Sequence, residues 1–270
     1  MLIYDYHVHT DNSLDCSTPM IVMCEKAIGQ GLQEIAFTDH FNNHLLDIDL
    51  GFYDPKRYFE DVEFCRQRFP QLKILTAIEI GEPHRWQTRI QRTLDGYAYD
   101  VVLGSLHWVG NENVFNENYF RARSPEQAYR DYFAELVRMI EHGGFDILAH
   151  VDLPKRLGHH YYGVFDSAAF EAEFCAVWQA CLQQGITPEI NTKGLRVPSA
   201  QLHPTLEALR WYVALGGDSL TFGSDAHHPE SIAQDFAAAY ACAAAAGIQY
   251  VCRYEGRQII QRLPLAEATV

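Results

Sequence analysis

LIYDYHVHTDNSLD (residues 2–15) begins as an apolar run and carries two histidines, His7 and His9, one residue apart. In an extended strand, side chains at i and i+2 leave the same face, so this pair can reach one site together. Asp15 follows six residues after His9. Similar short β-rich runs recur at 34–40 (EIAFTDH), 73–81 (KILTAIEIG), 100–109 (DVVLGSLHWV), 145–152 (FDILAHVD), 186–192 (ITPEINT) and 219–227 (SLTFGSDAH). A further run, IQYVCRYE (248–255), fits an extra strand near the C-terminus. Runs of this kind suit strands buried on both faces of a parallel sheet.

Helical patterns separate them, at 18–30, 55–69, 84–95, 124–144, 166–184, 203–216 and 229–246. The clearest is 124–144, where Ser124 can cap, Pro125 suits the first turn, and Gly143 and Gly144 end the helix. Tyr129, Phe133, Leu136, Val137 and Ile140 form its apolar stripe. Seven βα repeats favour a barrel or a doubly wound sheet. No strand is followed by a Gly-rich nucleotide loop. No Pro/Gly/Ser-rich linker divides the chain, so residues 1–270 are expected to form one domain. The longest strand-to-helix loops lie at about 41–54, 108–123 and 153–165.

Composition removes several function classes. With 270 residues, 48% of them hydrophobic, the chain can bury one large core. No apolar run approaches the ~20 residues of a membrane helix, and no signal-peptide pattern opens the chain. The net charge of −14 argues against non-specific nucleic-acid binding, although bound metal can reverse the local field for an anionic substrate. The seven cysteines are odd in number and lack a CxxC, which suits buried free thiols in a reducing cytoplasm. The chain carries no signal for oligomeric state.

The polar residues gather at the carboxyl ends of the strands. His7 and His9 end the first, Asp39 and His40 the second, Glu79 the third and His107 the fourth. His150 and Asp152 end the fifth, and Asp225 and His227 the seventh; the sixth ends in Glu189 and Asn191. In a barrel these ends open on one face, where active sites sit. Imidazoles and carboxylates converging there are suitable transition-metal ligands. Left without partners, such buried groups would each cost several kcal/mol, roughly.

HVHTDNSLD, FTDH, EIG, GSLHW, ILAHVD and GSDAH occur in this order from residue 7 to residue 227. Together they resemble the motifs of the polymerase and histidinol phosphatase (PHP) superfamily. The resemblance implies a distorted (β/α)7 barrel with a metal site, often trinuclear, at the C-terminal face of the strands. It implies that His7, His9, Glu79 and Asp225 hold one ion. Glu79 would bridge to a second, which His107 and His150 also bind, while Asp15, His40 and His227 hold a third. Many family members have histidine where this chain has Asp15, and aspartate there resembles the histidinol-phosphate phosphatase branch.

The expected cofactors are therefore up to three divalent ions (zinc, manganese or iron) with a bridging hydroxide. Such a site suits a phosphate monoester, because several phosphoryl oxygens can be held at once. PKRLGHH (154–160) and NTKGLRVP (191–198) lie on the same face, and INTKGLR resembles the corresponding histidinol-phosphate phosphatase segment. By that likeness Arg156 and Arg196 contact the substrate phosphate, with Lys155 and Lys193 as weaker candidates. Asp15 or His227 could return a proton to the leaving group.

Trp108, Phe115, Tyr161 and Tyr162 are loop aromatics that could border the imidazole alcohol. Asp39 and Asp152 could orient neighbouring imidazoles. His44, His84, His142, His159, His160, His203 and His228 match no ligand position and read as surface or helix-cap residues, with His159 and His160 the exceptions to watch. The expected activity is hydrolysis of L-histidinol phosphate in histidine biosynthesis, in the cytoplasm. Alternatives are the same chemistry on a nucleotide, cyclic phosphate or phosphotyrosine, an amidohydrolase, or a non-catalytic metal domain. Glu79, standing where amidohydrolases commonly use a carboxylated lysine, argues against the second of these classes.

Overall fold

A computed structural model describes residues 4–268. Nine strands line up in sequence order within one sheet: β1 (Tyr4–Val8), β2 (Glu34–Phe37), β3 (Lys73–Gly81), β4 (Val101–Ser105), β5 (Ile147–Leu148), β6 (Thr187–Asn191), β7 (Ser219–Gly223), β8 (Tyr250–Glu255) and β9 (Gln258–Pro264). Every neighbouring pair through β8 is parallel, and β9 returns antiparallel to β8. The result is a mixed α/β fold on a mostly parallel sheet. β1 and β2 are buried throughout, matching their nearly continuous apolar sequence.

β1 meets β7 at its carboxyl end. Val8 bridges Ala226, His9 N donates to Ala226 O at 2.9 Å, and Asp225 N donates to His7 O at 2.7 Å. At the opposite end β8 lies between them: it pairs with Ser219 and Leu220, while Arg253 Nη2 reaches Glu34 Oε2 at 2.6 Å and Tyr254 N reaches Tyr6 Oη at 3.2 Å. The strand expected at 248–255 thus wedges β1 and β7 apart at one end and leaves them joined at the other.

The expected helices form, most clearly Pro125–His142. Ser124 and Gln127 make a reciprocal capping box, and Gly143 ends the helix at φ 72°. Two expected helices start late, because 3-10 turns at Ser167–Phe170 and Pro229–Ser231 occupy their first residues. Two loops are more ordered than expected: 108–123 holds a small hairpin and the helix Glu117–Arg121, and 153–165 holds the helix Lys155–Tyr162. His159 and His160 therefore sit on a helix rather than a loop. No helix among the described residues is long and apolar enough to cross a membrane. All seven cysteines are free; five are buried, while Cys175 and Cys242 are partly exposed.

Candidate metal centre

Backbone register assembles the cluster. His7 and His9 leave the carboxyl end of β1 on the same side. A two-residue strand, His40–Phe41, pairs with Glu79 and Ile80, which brings His40 beside Glu79. His107 and His150 follow β4 and β5, and Asp225 and His227 follow β7. Asp225 has a left-handed backbone (φ 52°), uncommon outside glycine, and its amide is held by His7 O. Gly223 is required here: a Cβ at that position would collide with Glu189 Oε1 and with the Cβ of His7, so only glycine lets Glu189 reach β1.

The imidazole tautomers can be read from their partners. His7 Nδ1 lies 2.8 Å from Glu189 Oε1, so it carries a proton and leaves Nε2 as the nitrogen turned toward the cluster. His9 Nδ1 donates to Ser13 Oγ at 3.2 Å, and Ser13 Oγ in turn donates to Asp39 Oδ1 at 2.7 Å. The two remaining nitrogens, His7 Nε2 and His9 Nε2, then face each other at 3.1 Å. Two ring nitrogens this close call for positive charge between them, a proton or a metal ion.

Glu79 is the hub. Its Oε1 is 3.0 Å from His150 Nε2 and 3.7 Å from His107 Nε2. Its Oε2 is 2.8 Å from His40 Nδ1, 3.5 Å from His7 Nε2 and 3.6 Å from His9 Nε2. Although Glu79 Oε2 and His40 Nδ1 are close, neither makes a hydrogen bond, and both atoms are buried. Asp225 Oδ1 is 3.5 Å from His9 Nε2 and 3.5 Å from His227 Nδ1. Asp15 Oδ2 closes the outer side, 2.9 Å from His227 Nε2 and 3.6 Å from His40 Nε2.

Four overlapping sets have ligand atoms within 4.8 Å of one another: His7–His9–Glu79, His7–His150–Asp225, His40–Glu79–His107 and His9–His40–His227. These sets hold eight of the nine expected ligand residues; the ninth, Asp15, joins through His227 and His40. Orphaned buried atoms and facing ring nitrogens show that this donor set fits divalent metal.

The electrostatics follow from that crowding. Burial opposes ionisation of Glu79, but His40 and His7 overcome it and hold the carboxyl well below its ordinary range. Burial similarly opposes the charge on Asp225 and is overcome by Lys193, Arg156 and His7. His9 moves the other way, its pKa lowered by burial and by His227 and His40. His7 and His40 move up: burial opposes their charge, but Glu189, Glu79 and Asp225 overcome it for His7, and Glu79 and Asp15 for His40. The ionised carboxylates thus draw positive charge into the cluster, and metal binding would displace the protons on these two rings.

A cavity of about 380 Å³ opens beside the cluster, lined by Asp15, His40, His107, His150 and Asp225, by Arg156 and Lys193, and by the apolar Phe115, Leu157, Val197 and Pro198. Arg156 reaches Asp225 Oδ2 at 2.9 Å, and Lys193 Nζ reaches Asp225 Oδ1 at 3.0 Å and His227 Nδ1 at 3.1 Å. Arg196 is placed differently from expectation. Its Nη1 donates to Thr192 Oγ1 at 3.1 Å, its Nη2 donates to Ser224 O, and it is not among the cavity-lining residues. Lys155 is wholly buried, its Nζ on Asp152.

Of the four loop aromatics, only Phe115 lines the cavity. Trp108 is stacked on His44 at 3.9 Å and donates to Asp47, while Tyr161 and Tyr162 pack on Phe120. Asp39 acts on His9 through Ser13. Asp152 orients an imidazole that sequence reasoning assigned to the surface, that of His203, which is fully buried. No local pattern marks His203; Glu189 stands at the end of the sixth strand, but its role beside His7 comes from the tertiary fold alone.

This is a fold and site of the metal-binding α/β class. The PHP domain family model matches residues 5–193, and the chain belongs to that family. It is 25% identical over 226 residues, 83% of each chain, to the histidinol-phosphatase of Lactococcus lactis subsp. lactis. It is 25% identical over 246 residues to a probable histidinol-phosphatase of Clostridium acetobutylicum, covering 87% of this chain and 90% of that one. The fold matches the crystal structure of histidinol phosphate phosphatase from Lactococcus lactis complexed with zinc, L-histidinol and phosphate, with a TM-score of 0.87, 22% identity and coverage of 96% and 98% of the two chains.

Proposed function

We propose that this chain is a cytoplasmic, metal-dependent phosphomonoester hydrolase that converts L-histidinol phosphate to L-histidinol and phosphate in histidine biosynthesis. The observation that carries the reading is one cavity lined jointly by residues of the ligand cluster and by Arg156 and Lys193. Anionic phosphate fits beside these cationic side chains once metal is bound. Relatives named histidinol-phosphatase, matching over most of both chains, support the choice of substrate. The seven free cysteines support the compartment.

The architecture is read as a single-domain, distorted (β/α)7 barrel, supported by the β1–β7 junction at the carboxyl ends and the β8 wedge at the other. His7, His9, Glu79 and Asp225 would hold one ion, Glu79, His107 and His150 a second, and Asp15, His40 and His227 a third. Divalent ions held there supply Lewis acidity, which makes water a nucleophile near neutral pH and neutralises charge on phosphoryl oxygens.

The chain's own residues do the rest. Arg156 orients the phosphoryl group by charge-assisted hydrogen bonds, and Lys193 adds a compact positive charge. Arg196, at the other end of the 3-10 turn Lys193–Arg196, braces this loop against Ser224 and Thr192, behind the phosphate contacts. Phe115, Leu157, Val197 and Pro198 shelter the imidazole alcohol from water. Asp15 and His227, hydrogen-bonded at the rim, stand where the departing oxygen can receive a proton, directly or through water.

Steady-state kinetics on a panel of phosphate esters tests the reading. Histidinol phosphate is expected to show the highest kcat/KM. Hydrolysis no faster than that of p-nitrophenyl phosphate, or preference for a nucleotide, cyclic phosphate or phosphotyrosine, would reject the assigned substrate.

A further inference from the structure

A guanidinium has five N–H donors. In Arg156, three of them are already committed: Nε donates to His203 Nε2 at 3.2 Å, and Nη2 donates to Asn191 Oδ1 at 3.1 Å and Asp225 Oδ2 at 2.9 Å. The two hydrogens on Nη1 remain for a ligand, and Arg156 lines the cavity. Such a division works only while every fixed partner accepts.

His203 can accept because of what stands behind it. Its Nδ1 is 2.5 Å from Asp152 Oδ1, which assigns the ring proton to Nδ1 and the lone pair to Nε2. Asp152 is itself held by Lys155 Nζ at 2.6 Å, and Lys155 also donates to Leu202 O. Asp152, Lys155 and His203 are all completely buried. Burial, reinforced by Lys155, pushes the His203 pKa down to about 3, so the ring stays neutral.

The backbone supports the same arrangement. Asn191 and His203 exchange hydrogen bonds of 2.7 and 3.1 Å between their backbones. A Cβ on Gly194 would strike Gln201 O and come within 2.7 Å of His203 Nε2, so glycine in NTKGLR allows the His203 segment to approach.

We propose that His203 is a positioning residue: backed by Asp152, it fixes the plane of the Arg156 guanidinium so that Nη1 is the edge presented to the substrate phosphoryl group. The inference rests on the reading that Arg156 binds phosphate. A buried acceptor facing an arginine Nε–H gives the guanidinium one orientation, whereas Asn191 and Asp225 alone grip only its Nη2 end.

The test measures inorganic phosphate binding to the metal-loaded protein by calorimetry, alongside metal content, melting temperature and KM and kcat for histidinol phosphate. His203→Asn keeps an amide donor for Asp152 and lacks the acceptor facing Arg156. It is expected to weaken phosphate binding by about tenfold and to raise KM more than it lowers kcat, with metal content unchanged. His203→Gln, which can place an oxygen near the Nε2 position, is expected to stay within about threefold of the unsubstituted protein. Adding His203→Asn to Arg156→Ala is expected to cost nothing further.

Asp152→Asn is the second probe. Lys155 holds the amide oxygen, which turns the amide donor toward His203 and moves its proton to Nε2, against Arg156. It is expected to weaken phosphate binding at least as much as His203→Asn. If Arg156→Ala leaves phosphate affinity unchanged, the Arg156 reading itself fails. If Arg156→Ala weakens binding while His203→Asn and Asp152→Asn do not, or if His203→Asn and His203→Gln weaken it equally, the positioning role is overturned.

Discussion

The two sides of the cavity obey opposite rules. On the β1–β3 side, Glu79 Oε2 and His40 Nδ1 lack hydrogen-bond partners, and two imidazole ring nitrogens face each other. On the β5–β7 side, Lys155, Asp152, His203, Arg156 and Asn191 form a connected buried chain with donors matched to acceptors. An unsatisfied cluster is stable only with something added, so it marks a place for cations. A satisfied chain is stable as it stands, so it can hold a guanidinium rigidly. Binding capacity and preorganisation are thus divided between two halves of one rim.

Substituting the hub of the unsatisfied side should have the largest effect. Glu79→Gln is expected to lower kcat by more than about 100-fold and to reduce bound metal, measured by kinetics and metal analysis. Full activity with unchanged metal would remove its bridging role. Arg156→Ala, at the end of the satisfied chain, is expected to weaken phosphate binding by about 10–100-fold at unchanged metal content, from loss of charge-assisted hydrogen bonds. Loss of metal in that variant would blur the division between the two sides.

Glu189→Gln probes the boundary, because Glu189 accepts from both His7 Nδ1 and His150 N. Metal affinity in a chelator competition is expected to fall about 10-fold. The expectation for Arg196→Ala is smaller, a few-fold rise in KM at most, since its guanidinium is engaged by Ser224 and Thr192. An effect as large as that of Arg156→Ala would show that Arg196 turns into the cavity during binding.

The satisfied side also has an acid signature. Asp152, Lys155 and Arg156 surround His203, whose folded pKa is about 3, against an unfolded value of about 6.5. Between these values the unfolded chain binds the extra proton, so this group lowers stability as pH falls below about 6.5. The metal-free protein is expected to lose less melting temperature between pH 7 and 5 when it carries His203→Gln. An unchanged or steeper loss would show that the ring is protonated in the fold.

Much of the unsatisfied side was legible in the chain. The i, i+2 spacing of His7/His9 and Asp225/His227 and the chemistry at successive strand ends needed only the two-residue period of a strand. The satisfied side was legible only in part. Arg156 is marked by its segment and Asp152 as a group that orients an imidazole, but the imidazole it serves is not: His203 reads as one more unassigned histidine before a proline, because the pairing spans about fifty residues. The same limit explains Arg196: resemblance located its segment, but not the direction of its side chain.

By itself the sequence determined the alternating α/β order and the strand ends at which imidazoles and carboxylates gather, while the phosphate-directed chemistry came from the resemblance of its motifs. The first two depend on local period and residue type, which neighbouring residues in the chain specify. Tertiary structure decided that β8 wedges β1 and β7 apart, that Lys193 rather than Arg196 lines the cavity, and that His203 stands behind Arg156. Those outcomes depend on which distant groups can share a buried hydrogen bond without leaving a donor or acceptor unpaired, a condition that exists only once the chain has closed on itself.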